Sequence, residues 1–500
     1  MAEMTLEEAR TLADTLHAEL MNRSPRAEVL TRAYEGHQPL KFASPEFRSY
    51  FGDRYEEFSD NWVQVVADSP VERLTVNGFQ LPGQMAADTE CARVWQENAL
   101  DADSQLGFLG AVTTSRCFVL VWGNPDDPDT PVVTFEDDSQ CIVAYEPGSR
   151  RNRVAALKRW QDGNTECVTL YTKWQLFKFE RSLTKITKTP MMAEVDEETR
   201  QWKLRDTPEY EKNPQPNPMG KVPMVELPNR PLLTRNPISD VGGVMAMQDA
   251  VNLIWAQLLT ASDFASFAQR IVLGAEVPKT PILDSNGVKI GEKPIDLAKF
   301  AVNRVIWLED PNAKIAEWKA NDLSNYTGII ETAVGHIAAQ TRTPQHYLVG
   351  KMANLSGDAL LAAETGLVMR CKEKQLWFGQ GLREVNELIA LAQGSEAKAK
   401  EIRSGQVLWA DTESRNQAQL ADSLVKLKTI GFPFEWLAAR YGLKPEEIAT
   451  LIQMRERESE LDPVSALLSA KAGLTNPDPA QEPDPETDPV PAEGDPVPVG

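Results

Sequence analysis

Between Pro237 and Gln393 the chain goes out and comes back along a path that few folds accommodate. An apolar helix over 239–269 runs into a short β-rich excursion over 270–320. A second helix returns over 321–343, a loop at 344–356 is punctuated by Pro344 and Gly350, and a third, longer helix begins near Asp358. The first helix carries Val244, Met247, Val251, Ile254, Trp255 and Leu258 at the helical period, while Leu253, Leu259, Phe264 and Phe267 lie off that stripe. Apolar over most of its circumference, it needs partners on two sides. Such a path leaves more apolar helix surface than one subunit covers, and it reads as the subunit of a ring before it reads as an enzyme.

The second helix carries the sharpest detail. At about 100° per residue, Gly328, Gly335 and Ala339 fall on one stripe, opposite Tyr326, Ile330, Ala333, Val334 and Ile337. Each glycine costs about 1 kcal/mol relative to alanine inside a helix. Two on one face predict a smooth track for a closely packed neighbouring helix, with Trp255 and Leu258 of the first helix also at the contact between subunits. The third helix, to about Gln393, would be roughly 55 Å long, and Gly366, Gly379 and Gly381 predict a bend in it. Within the excursion, Asp284, Asn286 and Gly287 mark the tip of a hairpin, and VNRVIWLED reads as a strand.

The flanks are more ordinary. Helical periodicity covers Leu6 to Glu35, Asn61 to Val71 and Thr89 to Leu100. From Gly107 the period changes to two, and CFVLVWG, PVVTFEDD, QCIVAYEP, VAALKRWQ, ECVTLYTKW and QLFKFERS predict one mainly antiparallel sheet, continued by Lys221 to Pro231. Ser239 and Asp240 are candidate caps for the helix that follows. After the third helix come a strand at QVLWAD, a helix at Glu413 to Ile430 and a helical module, FPFEWLAARYGLKPEEIATLIQMRERE. Residues 476–500 hold seven acidic residues, eight prolines and no Lys or Arg, too little apolar surface to offset ordering entropy, so disorder is expected from Thr475 onward.

Composition removes several functional classes. A formal charge of -21 argues against a protein that grips nucleic acid by neutralising phosphates. Cys91, Cys117, Cys141, Cys167 and Cys371 form no CxxC pair and read as buried thiols. The segment MAEMTLEEAR has no apolar core of a signal peptide, and Val244 to Ala268 is interrupted by Gln248, Asp249, Asn252, Gln257 and Asp263, so no membrane span is expected.

Catalytic signatures are missing from the sequence: no phosphate loop, dinucleotide fingerprint, nucleophile elbow or HExxH. Four histidines give little general-base capacity, and His336 and His346 are poorly spaced as metal ligands. Asp126–Asp127, Glu136–Asp138 and Glu309–Asp310 sit where solvated carboxylates are ordinary. Ala438 and Gly442 suggest a helix-turn-helix, yet Glu446 and Glu447 would face phosphates at the end that reads DNA, so a packing helical hairpin fits better. No catalytic residue, metal or cofactor is assigned.

The ordered blocks GKVPMVELPNRPLLTRNPISDVGGVMAMQDAVNLIWAQLLTASDFASFAQRIVLGA, TRTPQHYLVGKMANLSGDALLAAETGL and QVLWADTESRNQAQLADSLVKLKTIGFP, with YEGHQPLKFASPEFRSYFGDRYEEFSDNWVQVVADSPVERL before them, are together similar to portal proteins of long-tailed double-stranded DNA phages, in the branch typical of phages of Gram-positive hosts. The similarity spans about Leu6 to Pro463. It implies an α+β, ring-forming portal fold, usually of twelve subunits: wing at 1–238, stem helices at 239–269 and 321–343, clip at 270–320, tunnel loop at 344–356, long helix and C-terminal wing at 357–430, and crown at 431–474.

It also implies a non-enzymatic role in the virion, at the capsid portal vertex, after assembly in the host cytoplasm. Partners would be double-stranded DNA in non-specific passage, major capsid and scaffolding proteins, the terminase large subunit and a head-completion adaptor. Arg342, Gln345, His346, Lys351 and Asn354 fall at the loop that would line the DNA channel. A mostly acidic wall suits sliding, because each cation bound to phosphate adds a barrier to movement. Two alternatives stay open: a capsid or tail adaptor without a channel, and a carboxylate, metal-dependent nuclease.

Overall fold

The computed structural model describes residues 4–51, 53–55, 58–84, 86–183, 201–208, 211–233, 236–266, 270–273, 279–283, 288–294, 305–308, 312, 322–349, 357–413, 417–443 and 445–461. With 51% helix and 19% strand it is a mixed α and β protein, as expected. Thr5 and Glu8 close a reciprocal cap on α1 (Leu6–Tyr34), the hydroxyl accepting from the Glu8 amide and the carboxylate from the Thr5 amide. α2 (Pro45–Phe51), α3 (Trp62–Val71), β1 (Val76–Gln80) and α4 (Thr89–Glu97) follow.

The reading departs from the structure at Gly107. Leu100–Thr114 is a helix, α5, and strand β2 starts only at Arg116 (Arg116–Trp122). Leu100, Ser104, Gly107, Phe108, Ala111 and Val112 are all buried in it, but Leu106, 69% exposed, and Ala102 stand on its solvent side, and apolar residues on both faces leave no clean stripe to set its period. Gly107 is there for close approach, since a Cβ would overlap the Phe135 ring.

Two sheets replace the single one predicted. β10 (Met224–Pro228), β2 and β3 (Val132–Glu136) form a three-stranded antiparallel sheet. β4 (Cys141–Tyr145), β5 (Arg153–Asp162), β6 (Thr165–Thr172), β7 (Gln175–Ser182) and β8 (Lys203–Leu204) form a second, with β9 (Gln215–Pro216) also on β7. Alternation fills both faces of the larger sheet. Ala155, Leu157, Val168, Leu170, Phe177 and Phe179 pack on Ala9, Ala13, Leu16 and Leu20 of α1, while Ala156 and Tyr171 turn to Phe118 and Met224 of the smaller sheet.

α6 (Met245–Ser266) leads to β11 (Arg270–Leu273), which pairs in parallel with β14 (Val305–Leu308). Between them β12 (Lys279–Leu283) and β13 (Lys289–Pro294) form the expected antiparallel hairpin, whose tip residues Asp284, Asn286 and Gly287 lie outside the described residues. α7 (Ser324–Thr341), α8 (Gln345–Val349) and α9 (Gly357–Ala392) come next, then α10 (Glu396–Ile402), β15 (Gln406–Trp409, paired with β1), α11 (Gln417–Thr429) and α12 (Phe434–Tyr441). The largest core gathers around α9, where Phe378, Leu382, Val385 and Leu388 meet Phe108, Val119 and Leu227.

The chain divides into two units between Pro445 and Glu446, and the described part of the second is α13 (Pro445–Leu461) from its second residue onward. The tail from Thr475 lies outside the described residues.

α9 runs as one helix. Its glycines allow close approach. A Cβ on Gly381 would overlap Leu227, one on Gly379 would lie 3.2 Å from the Trp409 indole nitrogen, and one on Gly366 would lie 3.2 Å from Cβ of Arg342.

Candidate functional site

The site is built where α6, α7, α8 and α9 meet. Val251 and Leu258 of α6 pack on Ile330, Ala333, Val334 and Ala338 of α7, with Leu348 of α8 closing the cluster. The bulky track of α7 is thus spent inside the chain. Gly328 and Ala339 on the other track are exposed, and among the described residues nothing stands within 4 Å of a Cβ on Gly328. Gly335 is half-covered, with the Gln345 side-chain nitrogen 3.6 Å from its Cβ position.

α6, expected to need partners on two sides, finds both within the chain. Opposite α7, Ala256, Leu253 and Leu259 pack on Leu40, Ala43, Tyr55, Phe47 and Phe58. The polar residues of α6 join the same N-terminal passage. Gln248 Nε2 donates to the Asp60 carbonyl at 2.5 Å, Asn252 Oδ1 accepts from the Asp60 amide at 3.2 Å, and the indoles of Trp62 and Trp255 both donate to Asp60 Oδ2, at 3.0 and 2.7 Å. Trp255 and Leu258, placed at a subunit contact by the sequence, are therefore engaged within the subunit.

α7 ends in a left-handed residue, Arg342 (φ 55°), whose own side chain is exposed. Pro344 then stands immediately before α8, which occupies the first part of the segment read as a loop; Pro fits there because that position has no helical partner for an amide proton. Gln345 is exposed. The His346 side chain is 8% exposed and turns inward, Nε2 lying 3.9 Å from Glu364 Oε1. Lys351 and Asn354 lie outside the described residues.

Two polar clusters fasten the segment at its base. In the first, Arg73 donates to the Tyr347 hydroxyl at 2.6 Å, to Glu364 at 3.2 Å and to the Thr412 carbonyl at 2.9 Å. In the second, Asp240 Oδ2 accepts from Arg370 at 2.7 Å and from Lys374 at 2.5 Å. Arg370 also donates to the carbonyls of Thr341 and Val66, at 2.7 and 3.1 Å, and Lys374 donates to Asn229 Oδ1 at 2.6 Å. The end of α7, the chain before α6 and the body of α3 are thus tied to one turn of α9. Burial alone would raise the Asp240 pKa, but Lys374 and Arg370 hold it well below the usual carboxylate range. Burial lowers the Lys374 pKa against the pull of Asp240.

Sequence reasoning missed this second cluster. Ser239 and Asp240 were expected to cap α6, but that helix begins only at Met245; Ser239 accepts from the amides of Val241 and Gly242 in the turn before it. Arg370 and Lys374 did leave a signal, since they occupy the stripe that Leu367, Phe378, Leu382 and Val385 mark as buried. A cation on an apolar stripe points to a buried counter-charge.

Among the described residues no group of three or more His, Cys, Asp or Glu side chains could hold a metal ion, and no helix is long and apolar enough to cross a membrane. All five cysteines are buried and free, the Cys91 thiol pushed up to about 12 by burial.

Comparison with known proteins accounts for this arrangement. Residues 14–437 match the family model described as phage portal protein, SPP1 Gp6-like. The portal protein of Mycobacterium phage L5 is 28% identical over 384 residues, 73% of this chain and 71% of that protein. The portal protein of Mycobacterium phage D29 is 26% identical over 382 residues, again 73% of this chain and 71% of that protein. Portal proteins are structural proteins of the capsid's portal vertex with a general role in DNA packaging. With its helices, sheets and loop base arranged as described and most of its length matched, the chain belongs to the SPP1 Gp6-like phage portal protein family.

Proposed function

We propose that this chain is the non-catalytic subunit of a twelve-membered portal ring through which viral double-stranded DNA is packaged and ejected. In this reading 1–238 is the wing, α6 and α7 are the stem, the β11–β14 excursion is the clip, 344–356 is the tunnel loop, 357–430 completes the wing and 431–474 is the crown. The ring docks the terminase large subunit and a head-completion adaptor, and contacts major capsid and scaffolding proteins during assembly.

One observation carries the reading: α7 spends its bulky face on α6 and leaves Gly328 and Ala339 open along the other. A helix face of small residues supports the close approach of a second helix, and the next subunit supplies one. Arg342 and Gln345 stand exposed beside that face, where a loop could touch a phosphate backbone without reading bases. Negative-stain imaging of the purified protein is expected to show closed rings with a central hole. A stable monomer at micromolar concentration that never forms rings would overturn the reading. Within rings, shortening the loop or replacing Lys351 with Glu is expected to leave assembly intact and to alter packaging or retention of DNA in a reconstituted procapsid. Parent-like packaging by both variants would separate the loop from the channel.

A further inference from the structure

Several distant stretches of chain bring cations to one open cleft of about 560 Å³. Arg151 and Arg153 come from the start of β5, Lys173 from the β6–β7 turn, Lys221 from the approach to β10, Arg383 from α9 and Arg403 from the residue after α10. The carboxylates in the lining are Glu384 and Glu387, and both are taken. Arg153 donates to Glu384 at 2.6 Å, and Lys221 and Arg403 donate to Glu387 at 2.6 and 2.5 Å. Three cations remain. Among the described residues the guanidinium groups of Arg151 and Arg383 have no hydrogen-bond or ion-pair partner, although Arg383 is half-buried, and the Lys173 ammonium only sits over the Trp174 ring, 4.9 Å from its centroid.

Six cations against two carboxylates invert the balance of the chain, which has 52 Lys and Arg against 73 Asp and Glu. Unpaired cations gathered this closely repel one another, and an anion in the cleft relieves that repulsion. The volume lies in the range of small-ligand sites, about 300–1,000 Å³. A single carboxylate needs one arginine fork; three free cations converging from separate elements suit an anion with several charged oxygens. Beside them the Trp174 ring is 45% exposed and lies over Gly220, a lining residue, so a flat face adjoins the charges. Nucleobases stack on such faces.

We propose that this cleft is a phosphate site, in which Arg151, Lys173 and Arg383 clamp the phosphates of a nucleic-acid backbone or of a free polyphosphate. It is separate from the loop at the end of α7, and the portal assignment does not depend on it.

The test uses the full chain and fluorescence anisotropy with a labelled single-stranded oligonucleotide, tripolyphosphate as competitor and a labelled polyglutamate peptide as the contrasting probe. The double variant Arg151→Glu/Arg383→Glu is expected to weaken oligonucleotide binding by at least about tenfold and to reduce the slope of log affinity against log salt by about two. Arg383→Lys, which keeps the charge and loses the fork, should fall between, and it remains informative where the double variant fails to fold. Displacement by tripolyphosphate assigns a free-phosphate site; displacement by unlabelled strand alone assigns the polymer backbone. Unchanged oligonucleotide affinity in folded variants overturns the proposal. So does tighter binding of polyglutamate than of either phosphate probe, lost in the same variants, which would make the cleft a dock for an acidic peptide.

Discussion

Glu166 and Asp138 are buried carboxylates with opposite responses to acid. Burial raises the pKa of Glu166, but hydrogen bonds from His17, Arg159 and Arg181 outweigh it and carry the value from 4.5 down to about 2. The stability it contributes is present above 4.5 and is lost as pH falls toward 2, on the order of 3 kcal/mol at about 1.4 kcal/mol per unit. Denaturant titration across that window should show Glu166→Gln flattening the acid limb; an unchanged limb would mean the ion pairs do not survive in solution. Burial pushes Asp138 from 3.8 up to about 6 against Arg23 and Arg116. Its contribution is therefore full below 3.8 and disappears as pH rises through 6, and Asp138→Asn should remove that dependence. Asp240→Ala leaves Arg370 and Lys374 buried without a counter-charge, for an expected loss of about 3–5 kcal/mol in urea unfolding. A loss under about 1 kcal/mol would show that water reaches the pair. These residues were the least legible in the sequence, because Arg370 and Asp240 are far apart in the chain and only the fold makes them neighbours.

Elements were legible where one face of each meets solvent. α1, α3 and α7 carry polar stripes, and their bounds fall within a few residues of the periodicity. α5 did not, because Ala102 and Leu106 put apolar residues on its exposed side, and the strands predicted as one sheet divide because β2 pairs on both edges with β3 and β10. The second cover of α6 comes from residues about two hundred positions earlier, which no local pattern records. Two glycines offer a way to separate contacts inside the subunit from the subunit contacts of the proposed ring. Gly381→Ala should destabilise the fold by about 1–3 kcal/mol, read as a lower thermal midpoint, because Leu227 occupies the space. A midpoint equal to the parent's would show that Leu227 can swing aside. Gly328→Leu meets open space among the described residues of its own chain. It should keep the parent's midpoint yet form few closed rings in sedimentation, and normal ring formation would show that this stripe is not an interface.

At the scale of the molecule, a subunit with formal charge -21 would assemble in the proposed ring against its own kind. Raising salt from about 0.01 to about 0.15 M shortens the screening length from about 30 to about 8 Å. The ring fraction in mass photometry should therefore rise with salt; a fall would mean that ion pairs dominate the subunit contacts. The charge was plain in the sequence, but the gathering of its minority cations into a cleft required the tertiary fold. α9 links that cleft to the loop base through successive anchors: Glu364 on Arg73, Arg370 and Lys374 on Asp240, then Glu384 on Arg153 and Glu387 on Lys221 and Arg403. From Glu364 to Glu387 the axial separation is roughly 35 Å at 1.5 Å per residue. A rod pinned at several stations cannot pivot about any one of them, so a sideways load at its Glu364 end would be shared among all the anchors instead of being borne by one.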